Sequence, residues 1–516
     1  MGSLHIAGPG PLAIALIASL LLSCGRPAPP DDELVFLIGS WPTNLDPRFV
    51  PDAWSEKIAH LVFSPLLIRD PRGELRPHLA ESHEFASATE VIVRLRDDAY
   101  FHDRTPVRAS DVVATYRSIL DPALGSVKRL SLDAISDVSE VAPRTVRFSL
   151  HRPHAPFLQV LASIGIAQES EILANGTAGD VLWTGSGPFL FEEIDTGAHL
   201  LLGRNPEWFG GRVGVEHVRF RVVPDATVRS LELLRGSADI TQNDLPPHVL
   251  DHLSASPDLV VETAESTLVK YLAFNLERPP LDDVRVRRAI AMAIDREAIT
   301  RHKLRGFATV AHSFLHPDSW AYAGDISVLR HDPVGARALL DEAGLPQPAD
   351  GSARLHLVFR TSQDETAIAV AKILRRDLAA VGIEMELRSN EWGVFFADIK
   401  QGDFDLYTLS GVGINDPDWY SFVMHSDSQP PSGANRELYD DATMDALLEA
   451  GRSTSARGVR ATLYRQVQHL AARDLPLVPL WYQHNVTVRG ADVQGWEMTP
   501  GGGIDALAHT SKGAGP

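Results

Sequence analysis

Helical and strand-like patterns of apolar residues alternate along the whole chain, and this alternation is what most constrains the fold. In residues 365–381 apolar residues recur with helical spacing, Gly382 is placed to end that helix, and the next apolar residues alternate as in a strand. Residues 91–95 show the same strand pattern, and Ser110 is placed to cap a following helix. Over 516 residues, this pattern predicts a mixed α/β protein with two or three lobes or domains.

Charge and composition argue against nucleic-acid binding. The formal net charge is −19, and no run of Lys and Arg with interleaved aromatic residues offers a basic patch to phosphates. Apolar residues make up 44% of the chain and charged residues 22%, as in ordinary globular proteins. We therefore expect a folded protein that does not bind nucleic acid.

The N-terminus reads as a targeting segment. Residues 11–23 carry no charge and are too few to span a bilayer, which takes about 20 residues, but they have the length of a signal-peptide core. They run into Leu21-Leu22-Ser23-Cys24-Gly25, which resembles the lipobox of bacterial lipoproteins, and Cys24 is the single cysteine. We predict a signal peptide over 1–23, lipid attachment at Cys24 and a Pro-rich tether over 24–33. The alternative is a core cysteine in an N-terminal helix.

Catalytic and metal-binding motifs do not stand out. The chain lacks G-x-x-x-x-G-K-[ST], G-x-S-x-G, S-x-x-K and H-E-x-x-H. His312 and His316 have helical spacing, but Pro317 disfavours a helix there, and His151 and His154 lie between prolines. We interpret all four as solvated loop histidines, and we expect no catalytic residue, metal site or cofactor. A secreted hydrolase is kept as an alternative function.

A series of short motifs then follows in a recognisable order. They are Leu45-Asp46-Pro47, Pro77-His78-Leu79-Ala80-Glu81-Ser82, Gly185-Ser186-Gly187-Pro188-Phe189, Asn205-Pro206-Glu207-Trp208-Phe209, Tyr271-Leu272-Ala273-Phe274-Asn275, Ala338-Leu339-Leu340-Asp341-Glu342-Ala343-Gly344, Glu391-Trp392 and Gly402-Asp403-Phe404-Asp405. This order, over residues 34–500, resembles the family 5 solute-binding proteins that serve peptide, dipeptide and nickel importers.

The resemblance implies an architecture and a role. It implies a two-lobed clamp of the type II periplasmic-binding-protein kind, with lobe I over 34–268 and 489–516, an inserted subdomain over about 48–180, and lobe II over 269–488. The solute is enclosed between the closing lobes and delivered to an ABC permease with its ATPase subunits. We expect a monomer in the periplasm or at the cell surface, held to the membrane by its lipid anchor.

The segment expected to contact the solute departs from the peptide-binding pattern. Peptide binders of this family often carry Trp-x-x-Asp-x-x-x-Pro, whose Asp pairs with the peptide ammonium; aligned on Pro417, this chain has Ser410 and Gly413 at those two positions. Asp416 and Asp418 either contact the solute instead or cap a turn. The solute is therefore a peptide or a non-peptide such as an oligosaccharide, a blocked peptide or a metal chelate. The predicted ligand-binding residues are Asn275, Trp392, Ser410, Gly413, Asp416, Asp418 and Trp419.

Overall fold

The computed structural model describes residues 32–50, 52–174, 181–431 and 433–513. The predicted signal peptide, Cys24 and most of the predicted tether lie outside these residues. The described residues form one seven-stranded, one six-stranded and one four-stranded sheet, with two short two-stranded pairs, Leu67–Arg69 with Leu75–Pro77 and Val493–Gln494 with Ser511–Lys512. The predicted mixed α/β class is confirmed.

The seven-stranded sheet, with its helices, is called lobe I. In spatial order its strands are Leu259–Ala264, Asn485–Gly490, Ile240–Gln242, Glu33–Ile38, His217–Val222, His199–Arg204 and Phe189–Asp195. The central strand Glu33–Ile38 is apolar almost throughout, because Leu34, Phe36 and Ile38 enter one core and Val35 and Leu37 enter another. Helices Ala53–Val62, Ala226–Leu234 and Pro247–Leu253 belong to this lobe.

The four-stranded sheet forms the core of a subdomain whose residues interrupt lobe I. Its strands, in spatial order, are Ala80–Ser87, Glu90–Leu95, Thr145–Leu150 and Ile135–Ala142, and its helices are Ala109–Leu120, Phe157–Leu161 and Glu169–Ala174. Ser110 does not cap the helix as expected, because the helix begins at Ala109 and Arg108 is its N-cap residue. The Asp111 carboxylate accepts the Arg108 N–H at 2.8 Å. Tyr116 packs edge-on against Phe148 at 5.0 Å, which joins helix and sheet.

The six-stranded sheet, with its helices, is called lobe II. In spatial order its strands are Ala308–Val310, Leu477–Gln483, Val269–Phe274, Leu406–Gly411, Leu355–Ser362 and Ile383–Asn390. Its helices are Val284–Ala293, Arg296–Ala298, Pro333–Glu342, Glu365–Ala379, Trp392–Lys400, Trp419–Met424, Ala442–Ser453 and Arg457–Asp474. Apolar cores cover both faces, so the strands alternate between two buried sides.

The chain crosses between the two lobes twice. The first crossing is residues 265–268, between strands Leu259–Ala264 and Val269–Phe274, and the second is His484. We place the second boundary at His484 rather than after residue 488, because Asn485–Gly490 pairs along its length with Leu259–Ala264 of lobe I. The two crossings lie together, since the Gln483 N–H donates to the Leu268 carbonyl at 3.0 Å.

Candidate ligand-binding cleft

The carboxyl ends of parallel strands in both lobes face one shared cavity. In lobe I, Glu33–Ile38 runs parallel to His217–Val222 and Ile240–Gln242; in lobe II, Leu355–Ser362 runs parallel to two neighbouring strands. Ligands of open α/β sheets bind outside such carboxyl ends. The segments that follow these strands line a cavity of about 520 Å³, a volume typical of small-molecule sites. We take this cavity as the candidate cleft.

The lobe I wall is built around Asp244. Its carboxylate accepts the Gly39 N–H at 2.6 Å, and burial raises the pKa of that carboxyl. Arg229 lies beside it and donates to the carbonyls of Val223 and Pro224 at 2.5 and 3.0 Å. It also donates to the Asp244 carbonyl at 3.1 Å. The guanidinium therefore joins the loop after strand His217–Val222 to the loop after strand Ile240–Gln242, and it stiffens this wall.

The lobe II wall carries Lys270, Asp364 and Glu365. Lys270 is partly buried, and desolvation lowers its pKa to about 8. Asp364 caps helix Glu365–Ala379 by accepting the Ala367 N–H at 2.7 Å. Ser410 stands directly opposite Lys270 on the neighbouring strand, so one of the predicted ligand residues is beside the cavity.

The loop after Ser410 brings Gly413 and Asn415 towards lobe I. Gly413 has φ +62°, and a Cβ built on it meets only the Asn415 Nδ2, at 3.6 Å. The same Nδ2 would lie 3.9 Å from a Cβ on Gly501, in the C-terminal loop of lobe I. The sequence does not single out Asn415, because a lone Asn beside Asp416 and Pro417 is typical of a turn.

Asp416 and Asp418 are held by side chains of lobe II. Arg460 donates to both Asp416 oxygens, at 2.9 and 3.2 Å. Asp418 lies 3.1 Å from the Arg452 Nε, and burial raises the pKa of its carboxyl to about 6. The Asp418 N–H donates to Asp416 at 2.9 Å, which is the turn-capping arrangement that the sequence left open.

The two predicted tryptophans are not among the residues that line the cavity. Trp419 packs on Phe314 with ring centroids 4.6 Å apart, so most of its ring is in the lobe II core. Trp392 follows the carboxyl end of strand Ile383–Asn390, stacks on Phe396 at 5.7 Å and is 55% exposed.

Asn275 does not belong to the cleft. It follows strand Val269–Phe274 at the end opposite Lys270, and its amide donates to the carbonyls of Gly402 and Phe404, each at 3.1 Å. Because its side chain is 3% exposed and fully used in joining two loops, we assign it a structural role.

The histidines expected in solvated loops are not all solvated. His154 and His316 do lie in loops, but both are largely buried. Burial lowers the pKa of His154 to about 4. The His316 side chain lies 3.3 Å from the Glu265 carboxylate and 3.5 Å from the Asp318 carboxylate. Among the described residues, these three side chains bring their ligand atoms close enough together to hold a metal ion. Sequence spacing could not show this burial, because the covering residues come from distant segments.

The chain matches known proteins over most of its length. Residues 74–433 match the family described as bacterial extracellular solute-binding proteins, family 5 middle. The chain belongs to this family. It is 32% identical over 437 residues to probable di/tripeptide-binding protein 5 of Pseudomonas aeruginosa, covering 80% of this chain and 81% of the relative.

A second relative and a solved structure extend the comparison. Di/tripeptide-binding protein 4 of Pseudomonas aeruginosa is 32% identical over 523 residues, covering 95% of this chain and 96% of the relative. The crystal structure of NikZ from Campylobacter jejuni, in complex with Ni(L-His), superposes with a TM-score of 0.82 at 24% identity, covering 94% of this chain and 100% of NikZ. The predicted two-lobed type II fold is confirmed.

Membership of family 5 makes the chain an extracytoplasmic solute-binding protein, and the matched relatives are binding proteins rather than enzymes. Within the described ranges, none of the helices combines the length and apolarity that a membrane span needs.

Proposed function

We propose that this family 5 protein captures a peptide or similar polar solute in the cavity between its lobes and delivers it to an ABC permease with its ATPase subunits. The observation that carries the proposal is the cavity of about 520 Å³ at which the carboxyl ends of both sheets meet. Relatives named di/tripeptide-binding proteins support a peptide-like solute.

Transport follows from linkage between binding and closure. A solute shifts the equilibrium between the open and closed forms only to the extent that it binds the closed form more tightly than the open form. Contacts between the subdomain and lobe II, such as the Ala155 N–H donating to the Arg452 carbonyl at 2.6 Å and the Arg457–Glu74 ion pair at 3.1 Å, are candidates for closed-state interactions.

A non-peptide solute is the second candidate, and Gly413 favours it. A buried ammonium without a partner costs several kcal/mol, and at this position the chain offers no carboxylate. Asp416 and Asp418 face arginines of their own lobe, so neither replaces it.

The same proposal includes the cellular setting. The lipobox-like sequence ending at Cys24 supports a lipoprotein anchored to the membrane. The protein acts as a monomer, with residues 34–268 and 485–516 in lobe I, a subdomain inserted at about 48–180, and residues 269–483 in lobe II. These assignments are ours.

Native mass spectrometry of the purified protein, followed by thermal unfolding and small-angle scattering with the co-purified solute, tests the function. We expect the solute to compact the protein and to stabilise it by about 2.7 kcal/mol at 100 times its Kd. If no co-purified solute, peptide or oligosaccharide has either effect, solute capture is the wrong function.

A further inference from the structure

The ammonium group of Lys270 lies in the cleft and has no partner among the residues that the structure describes. Its side chain lines the cavity from the central strand of lobe II, and among the described residues none forms a hydrogen bond or ion pair with it. By contrast, the similarly enclosed Lys512 lies 3.0 Å from Asp239. A cation taken out of water is stabilised by an anion at contact distance, and none of the described carboxylates supplies one.

The other charged or titratable groups that line the cavity are Asp225, Arg229, Asp244, Asp364, Glu365 and His484. Three of these carboxylates are already used: Asp225 and Asp364 cap helices and Asp244 holds the Gly39 N–H. Asp364 attracts Lys270 from a distance, and Glu365 is exposed to solvent. The space next to Lys270 is therefore open to an anion from outside.

Among the described residues that line the cavity, Lys270 is the one cationic side chain whose hydrogen-bond donors are all free. Arg229 donates to backbone carbonyls, and burial lowers the pKa of His484, which favours the neutral imidazole. A single ammonium matches a carboxylate better than a phosphate group, which carries about −1.5 to −2. Apolar side chains of Phe307, Val370 and Trp481 line the same cavity, which suits an apolar group next to a carboxylate.

We propose that Lys270 receives a carboxylate of the bound solute, which makes the ligand an organic acid with an apolar group next to its carboxylate, such as a peptide with a free C-terminus. This inference rests on the proposed function, because it needs a solute in the cleft. Pairing with the carboxylate stabilises the protonated amine, which burial alone disfavours.

The test uses a matched pair of probes, N-acetyl-Ala-Phe and its C-terminal amide, which differ in one negative charge and contain no free amine. Calorimetry measures both with wild type, Lys270→Gln and Lys270→Arg. Lys372→Gln, an exposed lysine on the far side of lobe II, is the matched control. Maltotriose is the neutral probe without any carboxylate.

We expect wild type and Lys372→Gln to prefer the acid by about 10- to 100-fold, Lys270→Gln to lose this preference, and Lys270→Arg to keep part of it. The affinity of wild type for the acid should also fall above about pH 8, where the Lys270 amine loses its proton. A preference that survives in Lys270→Gln, or wild type that binds only the amide or maltotriose, overturns the assignment of Lys270 but leaves solute capture intact. If none of the three probes and no co-purified solute binds, solute capture fails, and the role of Lys270 with it.

Discussion

Asp416 accepts two hydrogen bonds from Arg460, at 2.9 and 3.2 Å, and the side chains are only 12% and 7% exposed. Each group therefore neutralises the other inside lobe II. Asp416 was predicted to bind the ligand, and in the folded protein both of its carboxylate oxygens accept hydrogen bonds from Arg460.

Breaking this pair should lower stability without changing which solutes bind. Asp416→Asn or Arg460→Met leaves a buried charge without its partner, and we expect the free energy of unfolding to fall by about 3–5 kcal/mol in urea denaturation. Arg388→Gln removes a partner from the exposed Arg388–Glu386 pair and should cost about 1 kcal/mol or less. Asp416→Asn that keeps full stability but loses discrimination between peptides and N-acetylated peptides would show that Asp416 reads the solute.

The raised pKa of Asp418 predicts a pH dependence of stability. In the folded protein its carboxyl has a pKa of about 6, against 3.8 for the unperturbed group, so the folded state binds the proton more tightly than the unfolded chain. Stability from this group is present below about pH 4 and is lost as pH rises through 6. Relative to Asp418→Asn, wild type should lose up to about 3 kcal/mol between pH 4 and 7, measured by denaturant titrations.

The control for Asp418 is Asp427→Asn, which removes a charge at an exposed position. Its stability should follow that of wild type at every pH. A wild type that gains stability relative to Asp418→Asn as pH rises would mean that attraction to Arg452, and not desolvation, dominates.

Restoring a carboxylate at Gly413 should create a preference for free amines. The position has φ +62°, a conformation that Asp tolerates better than most residues, at a cost of about 1–2 kcal/mol, and the space before it is open. We expect Gly413→Asp to bind a free-amine dipeptide about tenfold or more tightly relative to its N-acetyl form than wild type does. Gly413→Asn has the same shape without the charge; an equal gain in that variant would rule out ion pairing as the cause.

Removing the predicted lipid-attachment residue should release the protein from the membrane. Cys24→Ser cannot carry the thioether-linked lipid, so we expect the protein in the soluble fraction with an unchanged fold, measured by fractionation and intact-mass analysis. Ser23→Ala keeps a small residue before the cysteine and should remain anchored. Wild type without any mass gain from acyl chains would contradict the lipoprotein assignment.

Periodicity located the main elements well. Helix Glu365–Ala379 and strand Ile383–Asn390 lie where the apolar spacing and Gly382 place them. The prediction that Ser110 caps its helix was wrong, because Arg108 and Asp111 together form the start of that helix. Such local competition between Ser and Asp is not visible in apolar spacing.

The alternating α/β elements and the family could be predicted from the sequence, because both depend on local spacing and on motif order. The polar residues that line the cleft could be identified only in the folded protein. Strand register places Lys270 beside Ser410 and carries Asn275 to the opposite end of the same strand, and helix Arg457–Asp474 supplies the arginine that occupies Asp416. The residue that pairs with a charged side chain lies tens of residues away in the sequence. The unpaired Lys270 ammonium and the paired Asp416 carboxylate can therefore be told apart only in the folded chain.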